Sequence, residues 1–233
     1  MISPNITIGT AVASTFETMF CRLLLNRQAA RCRGLQTDED QSVLNLTSYV
    51  NRLNTLQYDF ETIQSAAEHL FKAWRTGHHV FLCGNGGSAA NAIHIANDLF
   101  YGTAKNTGKP GLASHALTAN QAILMCLAND FCYEEVFSEQ LRAQARPGDI
   151  LVALSGSGNS ENIVRALQAA RTKEMTSIAI LGYTGGECRE LADIPIHFAV
   201  NDMQISEDAQ LIVGHMLMQW LRDKIVNYGG KSA

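Results

Sequence analysis

The sequence predicts an α/β protein built on a doubly wound, parallel sheet of five strands flanked by helices. Short apolar runs, typical of strands buried on both faces, alternate along the chain with stretches of helical period. Two of these runs end in glycine-rich turns that lead directly into a helix. The 233 residues, 46% of them hydrophobic, suffice for one such core with a helical addition. Ligands of such sheets bind beyond the carboxyl ends of the strands, where both turns should lie.

Composition narrows the classes of function. A formal net charge of −4 argues against nucleic acid as the main ligand, because nucleic-acid-binding proteins usually carry a basic face. The six cysteines show no CxxC or other metal-finger spacing, which fits a reducing cytoplasm. The sequence has no apolar run of about 18 residues and no signal-peptide pattern at its start, so we expect neither a membrane span nor export.

Helices are predicted before the first strand. An apolar spacing of helical period runs from Phe16 to Leu24, and we interpret residues 1–44 as a helical extension and residues 45–233 as the main domain. A longer helix, Phe60 to Thr76, carries an apolar stripe and ends before Gly77. Helices in this position cover a sheet edge or pack in an oligomer interface, and both possibilities are open at this stage.

The first strand–turn–helix unit begins with the apolar run His79 to Cys83, which Gly84 ends. The turn can bring main-chain N–H groups close to a ligand, because its residues tolerate positive φ angles: Asn85, Gly86 and Gly87. Ser88 is the predicted N-cap of the next helix, whose positive end suits an anion. The spacing matches neither a dinucleotide fingerprint nor a Walker loop, and a tight turn without a ligand also fits it.

His94 and Asp98 lie four residues apart on this helix and therefore share a face. An imidazole and a carboxylate so placed can share a proton, a metal ion or a substrate. A hydrogen-bonded pair on the protein surface is the alternative interpretation.

The middle of the chain is predicted to contribute one strand and two helices to the fold. The sequence predicts an exposed polar loop at residues 102–111, a strand at 112–117 and a helix at 119–127. The segment Ala128 to Phe131 is expected to break that helix and to leave Asp130 facing solvent. Another amphipathic helix is predicted at residues 134–145.

The second strand–turn–helix unit repeats the design of the first. The strand Asp149 to Leu154 leads into a turn in which Gly156 and Gly158 alternate with three hydroxyl side chains: Ser155, Ser157 and Ser160. The helix that follows, from about Asn159, offers its N-terminal amides to an anion. Hydroxyls and amides without Lys or Arg suit a phosphate monoester that binds reversibly. A serine-rich turn that only caps the helix is the alternative.

Two further strands, at residues 177–181 and 194–199, complete the predicted sheet, and a final helix runs from about Ser206 to Val226. Glu207 and His215 fall on one stripe of that helix, two turns apart, so their side chains can face the same direction. Because His215 lies in an apolar run, it also fits a position in the core or in an interface.

Several motifs in a fixed order resemble the sugar isomerase (SIS) domain family, and within it the phosphoheptose isomerases. They are CGNGGS, the His94 and Asp98 pair, LANDF, ALSGSGNSENIVRAL, LGYTGGE and the last helix with His215. The resemblance covers roughly residues 45–228. It implies a ketose–aldose isomerase that converts sedoheptulose 7-phosphate, or a closely related heptose or octose phosphate, to D-glycero-D-manno-heptose 7-phosphate.

The resemblance also implies roles for particular residues. Asp98 and His215 would exchange protons with C1 and C2 of the sugar through an enediol, at active sites in the subunit interfaces of a homotetramer. The positions implied to bind the substrate are Asn85, Gly86, Gly87, Ser88, Asp130, Ser155, Gly156, Ser157, Ser160 and Glu207. Some members bind zinc, and one Zn²⁺ per subunit is expected here at His94, Asp98, Glu207 and His215.

The sequence departs from the family pattern at two of these positions. Asp98 stands where the family usually has Glu, so a backbone shift or a bridging water must recover the reach of the base. Glu207 stands where Gln is usual, and its charge would strengthen metal binding or raise the proton affinity of a neighbour. The segment SAANA also resembles a non-catalytic relative, DiaA, which binds the replication initiator. A binding protein or sugar-phosphate sensor is therefore the alternative function.

Overall fold

A parallel sheet of five strands forms the centre of the protein. The computed structural model describes residues 45–228. The strands, in the spatial order β2-β1-β3-β4-β5, are β1 (Val80–Gly84), β2 (Ser114–Ala116), β3 (Ile150–Ser155), β4 (Thr176–Leu181) and β5 (Ile194–His197). Every neighbouring pair is parallel. The predicted fold class is confirmed, whereas the predicted extension, residues 1–44, lies outside the described residues.

Helices connect the strands. They are α1 (Leu46–Asn54), α2 (Phe60–Thr76), α3 (Gly87–Asn97), α4 (Gln121–Asp130), α5 (Ser138–Gln144), α6 (Glu161–Thr172), α7 (Gly186–Leu191) and α8 (Met203–Asn227). A π-helical turn, Asp98–Gly102, continues α3, and a 3₁₀ turn, Tyr133–Glu135, precedes α5. No helix among residues 45–228 has the length and apolarity that crossing a bilayer requires.

Hydrophobic layers cover both faces of the sheet. In β3, Val152 and Leu154 belong to the layer that also contains side chains of α2, α3 and α8, whereas Leu151 and Ala153 belong to the layer shared with α5 and α6. The alternation follows the two-residue period of a strand. Because both layers exclude water, the strands are continuous apolar runs, which is why the sequence predicts them well.

The two strand–turn–helix units diverge at the centre of the sheet. Strands β1 and β3 are neighbours, but α3 packs on one face of the sheet and α6 on the other. A crevice opens where neighbouring connections leave in opposite directions, and this topological switch point is where open α/β sheets bind ligands. The strand order therefore places both glycine-containing turns at one crevice.

The start of α3 differs from the prediction, which was wrong about Ser88 as the N-cap. The cap is Gly86, whose φ of 55° lets the chain enter the helix at Gly87 without a capping side chain. Ser88 lies inside the helix and is buried, and its hydroxyl accepts a hydrogen bond from Gln210 Nε2 at 3.0 Å. The Ser88 hydroxyl thus binds Gln210, a residue distant in sequence, instead of capping the helix as serine often does.

Several other helix boundaries differ from the predicted ones for local reasons. Helix α2 has the predicted bounds, with Asp59 as its N-cap and Gly77 in the left-handed region after it. The helix predicted at residues 119–127 continues to Asp130, so it ends near the end of the segment predicted to break it and not at its start. The predicted helix at residues 134–145 is divided, and the Ser138 hydroxyl at the junction donates to the Glu135 carbonyl. Asp202 caps α8 earlier than predicted.

Candidate active site

A cavity of about 250 Å³ lies at the crevice between β1 and β3. Its lining residues are Asn85, Gly86, Gly87, Ser88, Leu154, Ser155, Gly156, Ser157, Ser160, Met203 and Glu207. The structure thus brings together the substrate-binding residues predicted from the sequence, with the exception of Asp130. Two of the lining residues, Leu154 and Met203, carry no polar group and were not predicted.

The N-terminus of α6 faces this cavity. Ser160 is its N-cap, but within the described chain the Ser160 side chain makes no capping hydrogen bond. The Ser155 hydroxyl accepts a hydrogen bond from the Gly158 N–H at 3.0 Å, which fixes the turn. Gly158 needs its φ of 70°, and a Cβ there would overlap the Gly185 carbonyl. The turn therefore presents hydroxyls and first-turn amides, which suit a phosphate group.

A side-chain network holds the first turn against the second unit. Asn85 and Asn162 exchange two amide hydrogen bonds, of 2.9 Å and 2.8 Å, and the Tyr133 hydroxyl donates to Asn85 Oδ1 at 2.9 Å. Sequence reasoning missed both partners: Asn162 lies in the motif ALSGSGNSENIVRAL but received no role there, and Tyr133 stands in no recognised motif. Both come from elements remote from the first turn. These hydrogen bonds fix the orientation of the Asn85 side chain, which faces the cavity.

Asp130 is exposed at the end of α4 and does not line the cavity. Its carboxylate accepts hydrogen bonds from the Asn129 side chain at 2.8 Å and from Cys126 Sγ at 3.3 Å. These bonds hold the pKa of Asp130 below its ordinary value, so the group is ionised at neutral pH. Its predicted role near the sugar stays a prediction.

A second cluster of polar side chains lies on the outer face of α3 and α8. His94 Nε2 and His215 Nε2 are 3.0 Å apart, and Asp98 Oδ2 lies 3.4 Å from the first and 3.6 Å from the second. Both imidazoles are about half exposed. These three side chains form the His–Asp–His cluster. Asp98 opens the π-helical turn, a local distortion that often marks functional positions.

The chemistry of the His–Asp–His cluster suits a metal ion. One ligand atom from each residue lies within 4.8 Å of the other two, and within residues 45–228 this is the group found to meet that condition. Two imidazoles and a carboxylate are ligands that zinc takes at catalytic sites, where a fourth position stays open. The cluster without a metal is also chemically sound, since one imidazole can donate to the other.

Glu207 lies apart from the His–Asp–His cluster. Its carboxylate is in the cavity beside Gly87, and a Cβ at that glycine would overlap it. The hydrogen bonds and ion pairs among the described residues leave this carboxylate without a partner. The predicted set of four metal ligands is thus divided here into three that meet and one that faces the cavity. The two turns of α8 between Glu207 and His215 separate them by about 12 Å.

A buried polar network connects α3 to α8. Asn91 Nδ2 donates to the Glu207 carbonyl at 2.9 Å and to Gln210 Oε1 at 3.0 Å, and Gln210 Nε2 donates to Ser88. Gln210 is only 1% exposed. Glu207 and His215 lie on α8, and α3 connects the first turn to Asp98. The network between the two helices therefore sets the relative positions of these groups.

Replacing Gln210 by leucine is expected to lower the free energy of unfolding by about 2 to 4 kcal/mol. The leucine fills similar space but leaves the Ser88 hydroxyl without this partner and removes one of the two hydrogen bonds that the Asn91 amide donates, both in a buried layer. Urea unfolding measures the change. The exposed Gln144→Leu is the matched control and should change the free energy by less than about 0.5 kcal/mol. Equal values for the two variants would show that the network does not stabilise the packing of α3 on α8.

Comparison with known proteins identifies the family. A sequence profile described as the SIS domain matches residues 46–182. Phosphoheptose isomerase 2 of Campylobacter jejuni is 36% identical over 170 residues, which are 72% of this chain and 82% of that protein. The phosphoheptose isomerase of Akkermansia muciniphila is 36% identical over 188 residues, 81% of this chain and 96% of that protein.

Solved structures agree with these relatives. The phosphoheptose isomerase GmhA from Neisseria gonorrhoeae superposes with a TM-score of 0.65 at 31% identity, covering 70% of this chain and 86% of that one. The phosphoheptose isomerase from Francisella tularensis gives a TM-score of 0.69 at 26% identity, covering 76% and 92%. The chain therefore belongs to the SIS domain family and, within it, to the phosphoheptose isomerases.

Proposed function

We propose that this protein isomerises sedoheptulose 7-phosphate to D-glycero-D-manno-heptose 7-phosphate. The observation that carries the proposal is the combination of an uncapped helix N-terminus in a hydroxyl-lined cavity with an acid–base cluster on the neighbouring helices. The name of these relatives, phosphoheptose isomerase, supports it.

The cavity fixes the phosphate end of the sugar. Ser155, Ser157 and Ser160 donate hydroxyl hydrogens to the phosphate oxygens, and the first amides of α6 add the positive end of the helix dipole. Asn85 and Ser88 also line the cavity, and they contact the sugar hydroxyls. A fixed phosphate turns proton transfer at the other end of an open-chain sugar into a reaction between positioned groups.

Asp98 and His215 move the proton. One group takes a proton from C1, the carbon beside the carbonyl, while the other protonates the carbonyl oxygen, which gives the enediol. The second group then removes the proton of the C1 hydroxyl as the first returns a proton to C2, which gives the aldose. The 3.6 Å between Asp98 Oδ2 and His215 Nε2 supports a role for both groups at one reacting centre. Asp98 opens the π-helical turn, and this local change of the backbone is proposed to recover the reach that its shorter side chain loses.

The His–Asp–His cluster is proposed to hold zinc through its three side chains. Glu207, the fourth ligand predicted from the sequence, faces the cavity and is not part of this group. Zinc bound there supplies Lewis acidity toward the carbonyl and hydroxyl oxygens of the sugar. The ligand atoms that converge in the structure support this assignment. With zinc bound, Asp98 would still have its second carboxylate oxygen, and His215 its second ring nitrogen, for proton exchange.

We further propose a homotetramer with active sites completed at the subunit interfaces. His94 is seven residues beyond Gly87, about 10 Å along α3, so the cluster and the cavity of one chain are separate surfaces. Exposed apolar side chains surround the cluster, with Ile93 45% and Phe100 61% exposed. Helix α4 is apolar, yet none of its residues is buried by the rest of the described chain. A second copy that covers these surfaces would bring its own cavity to the cluster.

The proposed location is the cytoplasm. The four cysteines among the described residues, Cys83, Cys126, Cys132 and Cys188, are free thiols, as a reducing compartment keeps them. Burial raises the pKa of the Cys188 thiol to about 12, so this thiol stays protonated and unreactive.

NMR in D₂O tests the function. With sedoheptulose 7-phosphate as substrate, we expect deuterium to enter at the carbon beside the carbonyl while the aldose signal grows, because the enediol exchanges its proton with solvent. A chelator should lower the rate and Zn²⁺ should restore it, and elemental analysis should find one zinc per chain.

Two outcomes would contradict parts of this proposal. Full activity in protein that elemental analysis shows to be free of metal would remove zinc from the chemistry but leave the isomerase. Phosphate-dependent binding of the sugar without deuterium exchange, at any metal content, would overturn catalysis and favour a binding protein.

A further inference from the structure

The cavity contains two helix N-termini, and they differ in what occupies them. The N-terminus of α6 has hydroxyl side chains around it and no capping hydrogen bond from Ser160 within the described chain. The N-terminus of α3, at Gly86 and Gly87, also lacks a capping side chain of its own. A crevice with two uncapped helix ends would suit two anions, since each end carries a partial positive charge.

The second of these positions is already filled by the protein. The carboxylate of Glu207 lies against Gly87, in the space where any other residue would place its Cβ. Asn91 holds the backbone at this point through its hydrogen bond to the Glu207 carbonyl. The cavity therefore has one free anion position, at α6, and one negative charge of the protein at α3.

Among the described residues, the charge of Glu207 is offset only in part, by the partial positive charge at the N-terminus of α3. Hydrogen bonds and ion pairs within residues 45–228 involve other atoms than its carboxylate oxygens. A ligand bound in a cavity of about 250 Å³ comes within a Debye length of this carboxylate, about 8 Å at physiological ionic strength. The carboxylate accepts hydrogen bonds from sugar hydroxyls but repels a second anionic group on the same molecule.

We propose that Glu207 is a specificity residue that restricts the cavity to sugars with a single phosphate and an uncharged polyhydroxyl body. Sugar bisphosphates and phosphorylated sugar acids are excluded by the carboxylate beside Gly87. This inference rests on the proposed function, because it takes the cavity to be where the phosphate of the sugar binds. It concerns the choice of ligand and does not depend on which groups move the proton.

A matched pair of ligands measures the effect. Glucitol 6-phosphate and 6-phosphogluconate are open-chain monophosphates of equal length that differ in one end group, a hydroxymethyl in the first and a carboxylate in the second. Isothermal calorimetry on the full chain, with a chelator present so that zinc cannot bind the carboxylate, should give a dissociation constant at least roughly tenfold lower for glucitol 6-phosphate. In Glu207→Gln, which keeps the shape and removes the charge, the ratio of the two constants should fall to within about twofold of unity.

The control variant is Asp223→Asn. It changes the net charge by the same amount on the same helix, 16 residues and about 24 Å from Glu207. The ratio of dissociation constants should be unchanged in this variant, which separates the local effect of Glu207 from the net charge. Circular dichroism and the Tm show that each variant is folded.

The outcomes distinguish this inference from the proposed function. An equal ratio in wild type and Glu207→Gln overturns the inference, whether or not the protein is an isomerase. Failure of both ligands to bind the wild type overturns the phosphate position on which it rests. Discrimination that depends on Glu207, in a protein without isomerase activity, supports the inference while the proposed function fails.

Discussion

Replacing His215 by alanine is expected to lower kcat for sedoheptulose 7-phosphate by about 10²- to 10⁴-fold, the range that positioned acid–base groups contribute. Asp98→Asn, which keeps the volume but removes the basic oxygen, should give a loss of the same order. Both side chains belong to one cluster, so the double variant should be little worse than either single variant. Steady-state kinetics, together with a binding measurement on sedoheptulose 7-phosphate, checks this expectation.

His78→Ala is the control for this prediction. His78 also faces a carboxylate, with its Nδ1 3.4 Å from Asp149 Oδ1, but Asp149 lies at the start of β3, the end of the sheet remote from the cavity. It should change kcat by less than about threefold, an effect within the range of surface substitutions. A fall in kcat for His78→Ala as large as that for His215→Ala would mean that the loss of kcat reflects a less stable protein and not the loss of proton transfer. Unchanged kcat in both cluster variants would refute the assigned roles.

Replacing Gly158 by alanine is expected to lower the free energy of unfolding by about 3 kcal/mol or more. The residue has a φ of 70°, and the added Cβ would overlap the carbonyl oxygen of Gly185, a backbone atom that cannot move aside as a side chain does. The turn would have to open, and the hydrogen bond from the Gly158 N–H to Ser155 would be lost. We therefore also expect weaker binding of inorganic phosphate, measured by calorimetry.

Gly108→Ala separates the two causes of this loss. Gly108 has a φ of 68°, almost the same backbone conformation, but a Cβ there meets no atom of the described chain within 4 Å. Only the conformational strain remains, and the free energy of unfolding should fall by about 1 to 2 kcal/mol with no change in phosphate binding. If the two variants were equally destabilised, the contact with Gly185 would not limit this turn.

The sequence predicts the local parts of the molecule well. Strands buried on both faces are apolar runs, and Gly77 ends α2 because left-handed backbone is inexpensive only without a side chain. The turn with Ser155 and Gly158 is equally local, since its first hydrogen bond joins residues three apart. These patterns sufficed to predict the fold, the family and most of the residues that line the cavity.

Features that depend on distant partners could not be predicted in this way. Ser88 has the sequence context of an N-cap, but its partner is Gln210, 122 residues later. Tyr133 reaches Asn85 from a 3₁₀ turn on another part of the chain. The direction of the Glu207 side chain depends on the space left by the absent Cβ of Gly87, which no pattern on α8 reveals.

The reciprocal amide pair of Asn85 and Asn162 restricts how this site can evolve. The two residues are 77 positions apart and belong to different strand–turn–helix units, yet each satisfies the other's polar atoms. A substitution at either position alone leaves the amide of the other without its hydrogen-bond partner, whereas a compatible double substitution does not. The effect of a mutation in one turn therefore depends on which residue stands in the other turn. Substitutions in the two turns are expected to be coupled in evolution.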